Sequence, residues 1–526
     1  MKRLIIFVLI ACLAFTACHR EESGDGVVTS ETSVVYGGTL NLSMSSADTL
    51  NPLFAKKSTV RDALFAVYEP LIAVTADQEL RPVLAESWAF NPDATALTIK
   101  LREGVLWHDG TELSAKDVVY TVNTIKGTAN SPYSHLLRYV SAAAEVGQYS
   151  VTLTLSRSYS QLLYSLYFPI VPISSSVLDE AAVGTGPFMF ESYNPGQNLT
   201  LTRFGGYREG DAGFDKVVFN IVREDITMAS AYSTGVTNAI QSSVYNTDEF
   251  ALPVGSEAKR ACGAAFEYIG LNYNNPIFSS VTVRTAMSSA IDREELVQEG
   301  YGGTAVAANI PMHPRSLRYS PSLSLVDYNA AGARETLFYD GWVDSGGGTL
   351  MKSTMVTNDE NESEMVNLRL RFSLLVNREN SRRVLAANII ASQLKGSGFD
   401  VTVDETDFDD YRARISSGDY DAYLGGTDIG NLYDLEFLLS TGGTQNYSGY
   451  SSVYMDSALE SLASAPDDEA FVNACSIVQE VFTREQPLIG VVFLDDRLIL
   501  SQNIAGGTMP LFGSPFGNIG RWFFSE

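Results

Sequence analysis

Apolar and polar residues alternate with period two where Leu97, Ile99 and Leu101 interleave with Thr98, Lys100 and Arg102, the pattern of a strand with one buried face. A second apolar run starts at 105–107, and Asp109 with Gly110 supplies a tight-turn dipeptide. Ser114, with Asp117 three residues later, is a helix-start signal, and Val118, Val122 and Ile125 then recur at helical spacing. The same kind of reading predicts strands over 36–44, 151–155, 199–202 and 217–222, and a helix over 61–71 through Leu64, Tyr68 and Leu71. Val283, Ala286, Met287, Ala290 and Ile291 make one apolar helix face, after which Asp292 with Glu295 begins another helix.

Farther along, the pattern runs strand (371–377), amphipathic helix (382–395), strand (401–403), helix (411–415), strand (419–424). That alternation favours an α/β domain with parallel strand pairs. The segment 343–367 is rich in Gly, Asn and charge and reads as a loop or a mobile hairpin. No short internal repeat is present.

With 526 residues, 45% hydrophobic and 19% charged, the chain has material for two or three globular domains. Residues 4–17 form an apolar run behind Lys2 and Arg3. At about 14 residues it is too short for a stable bilayer span and fits an export leader. It ends in Phe15-Thr16-Ala17-Cys18, which resembles the lipobox of bacterial lipoproteins and implies lipidation at Cys18. A cut before Cys12 instead would leave an apolar core of only about six residues, below the usual range. Residues 19–33 are polar and read as a flexible tether.

The net charge of −26 repels nucleic acid and anionic lipid, which argues against a nucleic-acid partner. Cys262 and Cys475 read as small buried hydrophobes, with a disulfide as the alternative in an oxidising compartment. No Gly-x-Ser-x-Gly elbow, phosphate-binding Gly-x-x-x-x-Gly-Lys loop or His-Glu-x-x-His pair occurs, so no catalytic residue is assigned. His19, His108, His135 and His313 are scattered, and no metal or cofactor is expected. His108 reads as a polar residue at a hairpin turn. The acidic run 404–410 lacks the glycine and spacing of a calcium loop and reads as a solvated strand-to-helix connection.

The ordered stretch 84–120 closely resembles the signature of family 5 bacterial extracellular solute-binding proteins, the receptors of oligopeptide, dipeptide and nickel-type ABC importers. Gly184-Thr185-Gly186-Pro187-Phe188, the run 268–278, the stretch 327–342 ending in Gly341-Trp342, Asn446-Tyr447-Ser448-Gly449-Tyr450 and 491–494 resemble later landmarks of that family in order. The resemblance implies an α/β, two-lobed periplasmic-binding-protein-like fold, type II with an extra subdomain, hinged at strands crossing near Gly184, 271–273 and 491–494. Its expected parts are a signal peptide (1–17), a lipidated tether (18–35), lobe I (36–60, 184–272 and 491–526), an extra subdomain (61–183) and lobe II (273–490).

The resemblance further implies a non-enzymatic receptor that binds a peptide or other small solute between closing lobes. Its partners would be the transmembrane subunits of an ABC permease and, through the lipid, the outer face of the cytoplasmic membrane; it would act as a monomer. Ligand-contact candidates carried over with it are Asp428, Asp434, Asn446, Tyr447, Gly449 and Thr185. Either aspartate has the alternative of capping a helix, and the Asn446 segment that of a turn fixed by Gly449.

Overall fold

The computed structural model describes residues 34–128, 130–173, 182–222, 225–241, 252–324, 326–344, 346–357, 363–430 and 432–526. Cys18, with the leader and most of the tether, lies outside them. No described helix is long and apolar enough to cross a membrane.

The opening signature folds as its pattern requires. Strand Ala96–Leu101 buries Leu97, Ile99 and Leu101 completely, and helix Ala115–Gly127 does the same with Val118, Val122 and Ile125. The Asp117 carboxylate accepts hydrogen bonds from the Ser114 backbone N–H at 2.8 Å and from the Ile173 N–H at 2.9 Å, so one acidic side chain starts the helix and holds a distant segment. These elements belong to a four-stranded antiparallel sheet with Ala85–Phe90, Ser150–Leu155 and Val140–Glu145.

That unit is built onto a first lobe whose four-stranded sheet runs Thr39–Met44, Lys216–Ile221, Asn198–Arg203, Phe188–Asn194, with the first two strands parallel. One continuous core joins the two: Leu40, Leu42 and Phe219 pack in the same cluster as Leu97, Ile99 and Val151. The expected helix over 61–71 is shorter, Ser58–Leu64. The reason lies in hydrogen-bond partners. Pro70 has no N–H to bond back to the Ala66 carbonyl and disfavours a helical backbone at Glu69, and the carbonyls of Ala66 and Val67 accept from Phe188 and Gly186 instead.

The second lobe carries a six-stranded sheet in the order Ala305–Ala307, Ile489–Leu494, Ala265–Leu271, Ala422–Asp428, Arg371–Asn377, Asp400–Thr406. Arg371–Asn377 is parallel to both Asp400–Thr406 and Ala422–Asp428, with helices Ser381–Gly396 and Phe408–Ser417 between them, as the α/β alternation predicts. The 343–367 region includes a hairpin of strands Leu350–Thr357 and Ser363–Arg369.

Two strands join the lobes. Glu257–Ala261 and Asp496–Leu500 pair in a first-lobe sheet, and their continuations Ala265–Leu271 and Ile489–Leu494 pair in the second-lobe sheet. The first crossing therefore falls at 262–264. It precedes the expected 271–273 because Ala265–Leu271 already pairs on both sides within the second lobe. The passage at Gly184 is not a lobe crossing; it brings the chain back from the attached unit to strand Phe188–Asn194.

At the crossing the strands touch. A Cβ added to Gly263 would lie 1.9 Å from the Leu494 carbonyl oxygen. Beside it Asp495 is buried and paired with Arg315, while Arg260 and His313 lie 3.7 Å away, and Arg315 also donates to the Ala261 carbonyl at 3.2 Å.

The lobes also meet away from the hinge. Asp434, 2% exposed on the second lobe, pairs with Arg138 of the attached unit and accepts from the Tyr159 hydroxyl at 2.6 Å. Arg157 binds both carboxylate oxygens of Glu436 at 2.8 and 3.0 Å, and Tyr164 packs edge-on against Tyr433 with centroids 4.8 Å apart.

Gly263→Ala is expected to destabilise the chain by on the order of 3 kcal/mol, because the clash is with backbone and no rotamer relieves it; the urea midpoint measures this. Arg138→Ala leaves a buried carboxylate without its cation and should favour separated lobes. The expected readout is a larger radius of gyration in X-ray scattering of the unliganded protein.

Candidate functional site

Between the lobes lies a cavity of about 690 Å³. The first lobe and its attached unit contribute Arg61, Tyr133, His135, Tyr167 and Phe512; the hinge contributes Ala264, Leu494 and Asp496; the second lobe contributes Asn380, Ser381, Arg382, Asp428 and Gly430. Its size is that of a site for a small organic ligand.

The cavity's charges are placed by ordinary elements. Asp428 is the last residue of strand Ala422–Asp428 and pairs with Ala265 at the start of its neighbour, which puts it at the hinge end of the sheet. Asp496 opens the strand beyond the crossing, opposite Ala261. Arg61 stands on the short helix Ser58–Leu64, its guanidinium anchored on the carbonyls of Ala55 and Lys56. Arg382 lies in the first turn of helix Ser381–Gly396, 3.5 Å from the Thr304 hydroxyl. His135 sits on the 3₁₀ turn Ser134–Leu137.

Removal from water dominates the electrostatics. Burial pushes Asp496 up to about 7, and the nearby negative charges of Asp428 and Asp495 add to the rise. Burial raises Asp428 as well, against the opposing pull of His135. Burial lowers His135, keeping it neutral at neutral pH. Two carboxylates that resist ionising next to each other gain most from a positively charged guest, since it stabilises both charged forms at once.

The six candidate contact residues separate. Asp428 lines the cavity. Asp434 does not; its carboxylate is engaged by Arg138 and Tyr159 in the lobe–lobe contact. The Asn446 amide donates to the Ser440 and Tyr450 carbonyls at 2.8 and 2.7 Å, the Tyr447 carbonyl accepts from Tyr420, and Gly449 turns the chain at φ +75°. That segment is a self-bonded turn, bordering a separate small crevice with Tyr268 and Tyr423. Thr185 is buried between Gly184 and Gly186, both pressed on the Val67 carbonyl, and is not part of the cavity wall.

His108 sits at the hairpin turn, between the Leu106–Glu112 bridge and the Gly110 N–H bond to Trp107, and is half-buried there. Its Nε2 lies 2.9 Å from the Gly186 carbonyl, and its Nδ1 accepts from the Gly184 N–H at 3.2 Å, which selects the Nε2–H tautomer. Burial lowers it to about 4, so the ring stays neutral and ties the signature hairpin to the Gly184 landmark. Cys262 and Cys475 are both free and buried, each pushed up to about 12 by burial. Among the described residues no three His, Cys, Asp or Glu side chains are placed to hold a metal ion together.

Sequence reasoning did not single out Asp496, Arg61, Arg382 or His135. For Asp496 a signal exists: Asp495, Asp496 and Arg497 interrupt an otherwise apolar run from Ile489 to Leu500. Adjacent acids inside a core strand need a reason. Arg61, Arg382 and His135 carry no comparable mark.

A sequence profile for the middle part of bacterial extracellular solute-binding proteins, family 5, matches residues 79–449. The oligopeptide-binding protein AppA of Bacillus subtilis (strain 168) is 23% identical over 529 residues, covering 95% of this chain and 94% of that protein. Among solved structures, the periplasmic murein tripeptide binding protein MppA in its unliganded open form superposes with a TM-score of 0.79 at 16% identity, covering 94% of this chain and 99% of that one. NikA from Brucella suis in complex with Fe(III)-EDTA gives a TM-score of 0.71 at 19% identity, covering 93% and 100%. These likenesses establish the two-lobed type II architecture, and the profile match, over most of the chain, establishes the lineage: the protein belongs to the family 5 bacterial extracellular solute-binding proteins.

Proposed function

We propose that this chain is the substrate-binding lipoprotein of an ABC importer, held at the outer face of the cytoplasmic membrane through a lipid on Cys18. In this reading it acts as a monomer, captures a short peptide between its lobes and hands it unaltered to the permease. The observation that carries the reading is the charge layout of the interlobe cavity: Asp428 and Asp496 at the hinge end, with Arg61 and Arg382 on opposite lobes. A peptide offers an ammonium group and a carboxylate, and such a zwitterion answers both signs with charge-assisted hydrogen bonds. The name of AppA, an oligopeptide-binding protein, agrees with this.

Closure supplies the physics of capture. Each lobe alone leaves its charges in water, where an ion pair contributes little. With the lobes together the same charges lie in a partly dry cavity, so the ligand's polar groups must be matched there or the complex does not form. A chelated metal on the same scaffold is the second reading, favoured by the presence of His135 beside Asp428 in the cavity wall.

In calorimetric titrations with di- to tetra-alanine, at least one peptide is expected to bind, and Asp428→Asn should weaken it by about tenfold or more, the worth of one hydrogen bond to a charged group. Binding of nickel–histidine with silence toward every peptide would reverse the order of the two readings. Affinity should also fall as pH drops from about 7.5 to about 5.5, where the peptide amine stays protonated. The sign follows from Asp496: lifted to about 7 in the empty site, it takes up a proton over that range and loses the charge that attracts the amine.

A further inference from the structure

A second cavity of about 240 Å³ adjoins the first, and Arg61 and Gly513 line both. Its wall includes Asp62 on helix Ser58–Leu64, Ser43 on strand Thr39–Met44 and Gln241 at the end of strand Ala239–Gln241. Asp62 is only 7% exposed, and no hydrogen bond or ion pair satisfies its carboxylate among the described residues. The Ser43 hydroxyl beside it is buried and likewise without a partner. Ser58, Thr59 and Arg61 share the wall with them, and Met228, Ala239, Ile240 and Phe516 form its apolar part. A buried carboxylate and a buried hydroxyl, both lining one chamber and both unmatched among the described residues, make a candidate polar subsite.

Charge balance indicates what fills it. Around the joined cavities stand three carboxylates, Asp428, Asp496 and Asp62, against two guanidiniums, Arg61 and Arg382, while His135 is kept neutral by burial. Counted as ionised they leave one negative charge over, and in the empty site burial answers this by keeping Asp62 protonated at neutral pH. A zwitterionic guest without charged side chains does not change that balance; a guest with one additional cation cancels it. The three carboxylates are also coupled in series: Asp428 acts on Asp496, and Asp496 acts on Asp62. Burial holds Asp62 up near 8, the behaviour of a carboxyl lacking a cation close enough to pair. Arg61 does not fill that role, because its guanidinium is drawn toward the Ala55 and Lys56 carbonyls and forms no ion pair with its neighbour.

We infer that this adjoining chamber is a side-chain subsite for a basic residue of the bound peptide, with Asp62 as the acceptor of its ammonium or guanidinium group and the Ser43 hydroxyl and Gln241 amide completing the polar wall. The inference rests on the peptide reading and narrows it to peptides with one net positive charge. An acidic side chain in the same place would add a second unmatched negative charge and is rejected. The apolar lining suits the methylene stem of a long basic side chain, which packs while its head reaches the carboxylate.

The test is calorimetric titration of the mature chain with tri-alanine, with its three single-lysine variants, and with its three single-glutamate variants, repeated on Asp62→Asn. At least one lysine peptide is expected to bind about tenfold more tightly than tri-alanine, and every glutamate peptide more weakly. In Asp62→Asn the lysine preference over tri-alanine, both measured on the variant, should shrink to within about twofold, and a circular dichroism spectrum matching the parent's shows that the variant is folded. Tri-alanine binding with no gain from lysine at any position overturns the subsite and leaves the peptide reading standing, as does a lysine preference that survives Asp62→Asn. No binding by any of the seven peptides overturns both.

Discussion

At the lobe junction two strands cross so closely that only a hydrogen atom fits between Gly263 and the Leu494 carbonyl. Both strand connections between the two lobes pass through that contact. The ribbon formed by Glu257–Ala261 with Asp496–Leu500 continues as Ala265–Leu271 with Ile489–Leu494, so one pair of strands belongs to two sheets. A bend in such a ribbon is tightly constrained, because strand hydrogen bonds on either side fix where it can occur. Asp495 lies inside the bend, and Arg315, bonded to it and to the Ala261 carbonyl, binds both strands at once.

The same junction places charge in the cavity. Asp496 follows the bend directly, and Asp428 ends a strand that pairs with the first residue beyond the other crossing. A movement of the lobes therefore changes the surroundings of these carboxylates, and a ligand that stabilises their ionised forms favours the arrangement in which they are buried. Differential interaction with two arrangements is what allows a ligand to shift an equilibrium between them. The ion pairs of Arg138 with Asp434 and Arg157 with Glu436 lie in another part of the lobe boundary and contribute to the contact independently of any ligand. In the proposed closure, these ion pairs are the component supplied by the protein and the cavity carboxylates the component that answers a guest.

Local pattern was a good guide wherever one face of an element meets one core. The alternation over 97–102, the helix face through Val283, Met287 and Ile291, and the strand–helix sequence from 371 onward all appear as read. It failed where a backbone group is claimed by a distant segment. Helix Ser58–Leu64 ends well short of 71, where Pro70 already marks a stop, but that Gly186 and Phe188 take the carbonyls of Val67 and Ala66 is not visible within 61–71. His108 does lie at the turn its neighbours suggest, but the reach of its ring to Gly184 and Gly186 is a long-range contact that those neighbours do not show.

The sequence by itself determined most of the elements and their order, because periodic burial and turn chemistry are properties of short stretches, and its ordered motifs resembled the family whose profile it matches. Only the tertiary structure decided that Asp428 faces the cavity while Asp434 is held by Arg138, and that Asp496, Asp62, Arg61 and Arg382 share the neighbourhood of one site. The charge state and availability of a carboxylate depend on how much water it loses and which charges stand a few ångströms away. Those neighbours come from segments far apart in the chain, so no local pattern records them.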